Sequence, residues 1–193
     1  MPLRRRALLW LGPAAWLGPV AAASESTGAS VSELLRRGGV VLALRHARAP
    51  GTFDPPDFRL GDCRTQRNLD ESGRAQAKRL GAWFAAQGLK PAAVRSSPWC
   101  RCVDTAQLAF GRAEVWPALG SPRGGDAPRN AQHLAQLRAA LREVGGRPGV
   151  FEVWVTHMFV LSALTGHGSE SGEGLVLQHD ESMPRLLARL TPP

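Results

Sequence analysis

The run VVLAL, residues 40–44, is apolar at every position and follows two glycines, Gly38 and Gly39. A half-exposed strand alternates apolar and polar residues. An unbroken short run instead marks a strand buried on both faces, which belongs inside a sheet covered on both sides. The rest of the chain supplies the cover. Short strand-like segments, PAAVRSSP, AEVWPAL and GVFEVWVTH, alternate with stretches of helical spacing. Ala77, Leu80, Trp83 and Phe84 recur at helical intervals up to Gly88, and a second helix is expected over WCRCVDTAQLAF. Val31 to Arg37 reads as a short helix, Asn130 as the cap of a helix from Ala131 to Val144, and FVLSALTG as another. GLVLQ and RLLARL read as closing strands, a hairpin around ESMP. Such alternation predicts an α/β fold, a three-layer α/β/α sandwich on a mostly parallel central sheet.

The first 23 residues stand apart. MPLRRR carries three arginines, an apolar stretch follows, and small residues sit at Ala21 and Ala23. This is the layout of a cleaved export signal, with residues 24–193 as one mature domain. Gly12, Pro13, Gly18 and Pro19 break the apolar run, which is shorter than the roughly 20 residues of a membrane-spanning helix. The expected location is therefore the periplasm or another exported compartment, without stable membrane insertion. The arginine run leaves both the general and the twin-arginine export routes open. In an oxidising compartment, Cys63, Cys100 and Cys102 imply one disulfide and one free thiol, with Cys63 pairing either Cys100 or Cys102.

Net charge is +8, and without the three leading arginines 21 basic residues still outnumber the 16 acidic ones. That balance suits an anionic ligand. A basic helical face interleaved with aromatics is missing, so nucleic acid is not an expected partner. Neither C-x-x-C nor H-x-x-x-H spacing occurs, and no metal or cofactor is expected. GHGSESG does not fit the G-x-S-x-G elbow of serine hydrolases, and there is no P-loop lysine.

In a parallel sheet, ligands bind beyond the carboxyl ends of the strands. The first strand ends in Arg45-His46, the second leads through SSPWCR to Arg101, and the fourth ends in His157. Phosphoryl transfer brings these residue types together. Negative charge spreads over three equatorial oxygens, which guanidinium forks match while staying protonated. A neutral imidazole is nucleophilic near pH 7 and splits one displacement into two. A second imidazole donates to the phosphoryl oxygens.

In LALRHARAPG, QRNLDESGRAQAKRLGAWF, SSPWCRCVDTAQLAF and VTHMFVLSALTG, the chain resembles the histidine phosphatase superfamily, the phosphoglycerate mutase-like branch 1. The resemblance implies that His46 is the phosphorylated nucleophile and that Arg45, Arg101 and His157 complete the phosphate pocket. Arg48 is a further candidate contact, with Arg67 and Asn68 behind it. The acid that protonates the leaving group is expected between the second arginine and the late histidine. Asp126 is preferred there over Glu114, with Glu173 a third option. Two positions depart from the family pattern, Ala47 in place of glycine after His46, and Met158 after His157.

The expected activity is hydrolysis of a phosphomonoester, a small metabolite or an envelope sugar phosphate. The sugar reading follows a resemblance of EGLVLQ and the export signal to lipopolysaccharide core heptose phosphatase-like members. A non-catalytic phosphate-binding envelope protein and a phosphomutase are the competing expectations. Oligomeric state is not legible.

Overall fold

The computed structural model describes residues 29–122 and 126–191; the expected export signal lies outside them. Helix α1, Val31–Arg37, is closed by a capping box in which Ser30 accepts from the Glu33 amide and the Glu33 side chain accepts from the Ser30 amide. Gly38 then adopts φ 72°, and a Cβ there would stand 2.2 Å from the Val150 amide nitrogen. Only glycine allows so tight an entry into strand β1, Val40–Arg45.

Helix α2, Glu71–Ala86, leads to β2, Ala93–Ser96, then to α3, Cys100–Phe110, and to a two-residue β3, Glu114–Val115. Helix α4, Ala127–Gly145, precedes β4, Phe151–Thr156, and α5, Met158–Thr165. Strands β5, Gly174–Gln178, and β6, Arg185–Leu190, form the closing hairpin. The six strands lie in the order β3-β2-β4-β1-β5-β6, the first four parallel and the last two antiparallel.

Strand alternation assigns the two faces. Val40, Leu42 and Leu44 of β1, with Phe151, Val153 and Val155 of β4, pack against Leu34 and Leu35 of α1, Leu80 and Phe84 of α2, and Ala106 of α3. Val41, Ala43 and Trp154 point the other way, onto Leu137 and Leu141 of α4 and Leu161 and Leu164 of α5. Helices therefore cover both sheet faces, as the unbroken apolar run in β1 requires.

Two local expectations are corrected. Helix α4 begins at Ala127, with Asp126 at the N-cap position, so Asn130 lies inside the first turn instead of capping it. Pro128 explains the earlier start. Its missing N–H costs nothing in the first turn, where no intrahelical acceptor exists. The third strand is shorter than AEVWPAL suggested, because Pro117 turns the chain into a 3-10 turn, Pro117–Leu119.

Candidate active site

Sheet register builds the site. In the parallel β1–β4 pair Arg45 lies opposite Thr156, so His46 and His157 leave neighbouring strands side by side. The His46 amide donates to the Thr156 carbonyl, 2.9 Å away. The two imidazoles stand edge to face with centroids 5.5 Å apart, and both residues are buried. Strand β2 runs parallel to β4 on its other side and delivers Arg101 in the first turn of α3.

Arg101 joins the parts. Its Nε donates to His46 Nε2 at 3.3 Å, and its Nη2 lies 3.5 Å from His157 Nδ1. Nη1 donates to Asp54 Oδ1 at 2.8 Å and to the Arg67 carbonyl at 3.3 Å. Because a guanidinium has only donors, it fixes both tautomers. His46 carries its proton on Nδ1, donating to the Ala47 carbonyl at 2.7 Å, and its Nε2 lone pair accepts from Arg101 at the cleft. His157 carries its proton on Nε2, which donates to Ser97 Oγ at 2.8 Å. Ala47 causes no strain, since among the described residues every positive φ belongs to a glycine. Its amide donates to Thr105 Oγ1.

The cleft over these groups has a volume of about 530 Å³ and is lined by Arg45, His46, Asp54, Arg67, Arg101 and His157, among others. Arg45 donates from Nη1 to the Ser169 carbonyl, and Arg67 from Nη1 to the Ala49 carbonyl. The Nε atoms of both arginines are buried without a hydrogen-bond partner among the described residues. Buried donors are rarely left unpaired, and two of them on guanidiniums lining one cleft suit an oxyanion. Three guanidiniums face one lining carboxylate, Asp54. The surplus of positive charge matches a phosphate monoester dianion.

Burial, reinforced by Arg101, Arg67 and Arg45, pushes His46 from its ordinary 6.5 down to about 3, against the opposing bond to Ala47. The same causes, burial first, hold His157 well below its ordinary value. Both rings are therefore neutral at pH 7, and a dianion among the arginines would favour their protonation. A protonated His157 donor is thus a state that substrate binding must create.

A stability prediction follows. The unfolded chain gains its histidine protons near pH 6.5, whereas native His46 gains one only near 3. Between those values the unfolded state binds more protons, so stability is full above 6.5 and declines as pH falls toward 3. The slope reaches about 1.4 kcal/mol per pH unit for each such ring. Urea denaturation from pH 7 to pH 4 should show this decline, and His46→Asn should flatten it. Parallel profiles for the two proteins would contradict it.

The remaining expected residues are placed elsewhere. Arg48 is turned to the surface and pairs with Asp70 at 3.3 Å, so it does not reach the phosphate pocket. Gly73 lies against the Arg48 backbone, where a Cβ would meet the carbonyl oxygen at 1.9 Å. Asp126 pairs with Arg129 at 3.1 Å and lines a neighbouring cavity of about 520 Å³ that shares Trp99 and Ser121 with the active-site cleft. Glu114 lies exposed on β3, and Glu173 pairs with Arg189 at 2.9 Å. Asn68 donates to the Cys63 carbonyl.

Asp54 is the residue that sequence reasoning missed. Burial alone would raise its pKa, but the Arg67 amide, Arg101 and the Trp99 indole hold it below the usual carboxylate range. It remains ionised and is a poor acid. The disulfide joins Cys63 to Cys100, tying the loop after β1 to the residue before Arg101. Cys102 lies buried beside His157 Nε2, and burial pushes its thiol up to about 12. Among the described residues, no group of three or more His, Cys, Asp or Glu side chains could hold a metal ion.

The model of the histidine phosphatase superfamily, branch 1, matches residues 41–120, from β1 through the Pro117–Leu119 turn. No curated protein matches the chain. The SixA protein of Agrobacterium tumefaciens is 26% identical over 80% of this chain and 98% of its own, with a TM-score of 0.54. The phosphoserine phosphatase of Entamoeba histolytica, solved with 3-phosphoglyceric acid, shares 13% identity over 79% of this chain and 96% of its own, at a TM-score of 0.57. A mycobacterial glucosyl-3-phosphoglycerate phosphatase, solved with inorganic phosphate, shares 20% over 76% and 94%, at 0.55. Over residues 41–120 the chain matches the histidine phosphatase superfamily, branch 1, and that match together with the phosphatase fold supports a histidine-type phosphatase.

Proposed function

We propose that the protein hydrolyses phosphomonoesters through a phosphohistidine on His46, acting on a small phosphorylated metabolite or an envelope sugar phosphate. The observation that carries this reading is the single guanidinium of Arg101 touching both imidazoles, at 3.3 and 3.5 Å. A group held there is in reach of an in-line attacking nitrogen. In the first step the Nε2 lone pair forms an N–P bond as the P–O bond to the leaving group breaks. In the second, water attacks phosphorus, the N–P bond breaks, and phosphate leaves as His46 regains its lone pair. Arg45, Arg67 and Arg101 neutralise the phosphoryl oxygens in both steps, and His157 donates once the dianion has favoured its protonation.

Asp54, the only carboxylate among the described lining residues, is ionised and bound to Arg101. That favours leaving groups needing little protonation, such as phenolates. One structural relative, at 20% identity, is named a protein histidine phosphatase and was solved with tungstate. An exported, oxidising location is part of the proposal, and the Cys63–Cys100 disulfide supports it.

The test is a rapid acid-independent quench of the enzyme with a labelled aryl phosphate, followed by release of inorganic phosphate over time. Label retained on the protein in alkali and lost in acid, together with free phosphate as the product, is the expected result. Binding without labelling or turnover would favour a phosphate-binding module. Label passed to an organic acceptor would indicate a phosphomutase.

A further inference from the structure

The cleft is anionic-selective only at its floor. Its mouth carries large apolar side chains in water: Phe53 is 77% exposed and Phe159 is 45% exposed. Apart from the floor groups already described, the only polar side chains among the described lining residues, other than the occupied Trp99 indole, are Thr52 and Ser121. Solvent-exposed aromatics grouped at the rim of a binding cleft mark a surface that a ligand covers.

Chain connectivity ties both rings to residues of the phosphate floor. Phe53 immediately precedes Asp54, which is locked by Arg101, the Trp99 indole and the Arg67 amide. Phe159 lies two residues after His157, in the first turn of α5. Both side chains line the same cleft as Arg45, His46, Arg101 and His157. One comes from the loop after β1 and the other from α5. Packed aromatic rings form part of the cleft wall. Phe58 packs on Trp99 at 5.9 Å between centroids, and Trp99 meets His157 edge-on at 5.1 Å. Pro55 and Pro56 restrict the backbone just past Phe53.

We propose that Phe53 and Phe159 form an aromatic clamp for the leaving group, selecting phosphate compounds whose leaving group carries a flat, apolar body. The inference rests on the phosphatase reading above and narrows it. A flat apolar body covers both rings and removes them from water. A small polyol covers little of either ring and finds few polar partners at the mouth. Arg45, His46, Arg101 and His157 serve any phosphoryl group alike, so the discrimination lies in the clamp.

The test compares benzyl phosphate with glycerol 3-phosphate, whose alkoxide leaving groups are similar in basicity, in the full protein and in Phe53→Ala and Phe159→Ala. The wild-type ratio of kcat/KM should favour benzyl phosphate by at least about tenfold, and each substitution should lower that ratio by several-fold. Binding of phenylphosphonate and methylphosphonate, measured by calorimetry, reads the same preference without turnover. Tighter binding of the phenyl compound, weakened by either substitution, supports the clamp even if neither ester is hydrolysed; the aryl phosphate assay above then decides the phosphatase reading by itself. Turnover with a ratio near one, or a ratio unmoved by both substitutions, overturns the clamp and leaves the phosphatase reading standing.

Discussion

His46→Ala is expected to lower phosphate release by about ten-thousandfold or more, with no alkali-stable label left on the protein. The size follows from what the residue does in the proposed cycle. A nucleophile that forms the covalent intermediate cannot be replaced by water, which lacks both position and a low-cost lone pair. Three features of the fold prepare that lone pair. The Ala47 carbonyl takes the Nδ1 proton, burial and three guanidiniums keep the ring neutral, and Arg101 Nε sits on the Nε2 side. The floor survives the substitution, because Arg45, Arg67 and Arg101 hold their own backbone or carboxylate contacts. Inorganic phosphate should therefore still raise the melting temperature of His46→Ala. If the alanine protein proves too unstable to handle, His46→Asn offers an amide N–H toward the Ala47 carbonyl and should be equally inactive. Residual turnover within a hundredfold of wild type in either variant would remove His46 from the nucleophile's role.

The sequence made the frame and half of the pocket legible, and physical range explains which half. Unbroken apolar character in β1 and β4 reports burial directly, so strand ends, and with them His46 and His157, could be located from local information. Arg101 followed because a strand-to-helix turn places it at the same sheet edge. The long loop over 48–68 defeated that approach. Arg48 is two residues from His46 in sequence and reads as a neighbour, yet its backbone is packed under Gly73 and its side chain pairs with Asp70. Arg67 is twenty-one residues away and lines the cleft, because the loop folds back and the Cys63–Cys100 disulfide pins it to α3. Asp54 in a Pro-rich stretch looks like an ordinary solvated charge. Its role depends on a partner 47 residues distant, which no local pattern encodes. Asp126 lies at the start of α4, which Pro128 marks, and there it pairs with Arg129 and lines the neighbouring cavity, a placement set by the helix boundary and not by the Gly/Pro-rich stretch before it.

Arg101→Ala should separate structure from chemistry at the same site. The Arg101 side chain is 4% exposed and that of Asp54 10%, so the pair is effectively out of water. Removing one partner of a buried ion pair leaves the other charge uncompensated, and a loss of about 3–5 kcal/mol in folding stability is expected, measured by urea denaturation. The indole of Trp99 and the amide of Arg67 still donate to Asp54, but neither supplies a positive charge. Adding Asp54→Asn removes the stranded carboxylate, and the double variant should recover a large part of that stability. Turnover should not recover. Both single and double variants lack the guanidinium that spans His46 and His157 and meets the phosphoryl oxygens, a loss of about a thousandfold in kcat. Recovery of activity along with stability in the double variant would mean that Arg101 serves only to neutralise Asp54. Persistent inactivity in a restabilised protein would place its guanidinium on the reacting phosphate.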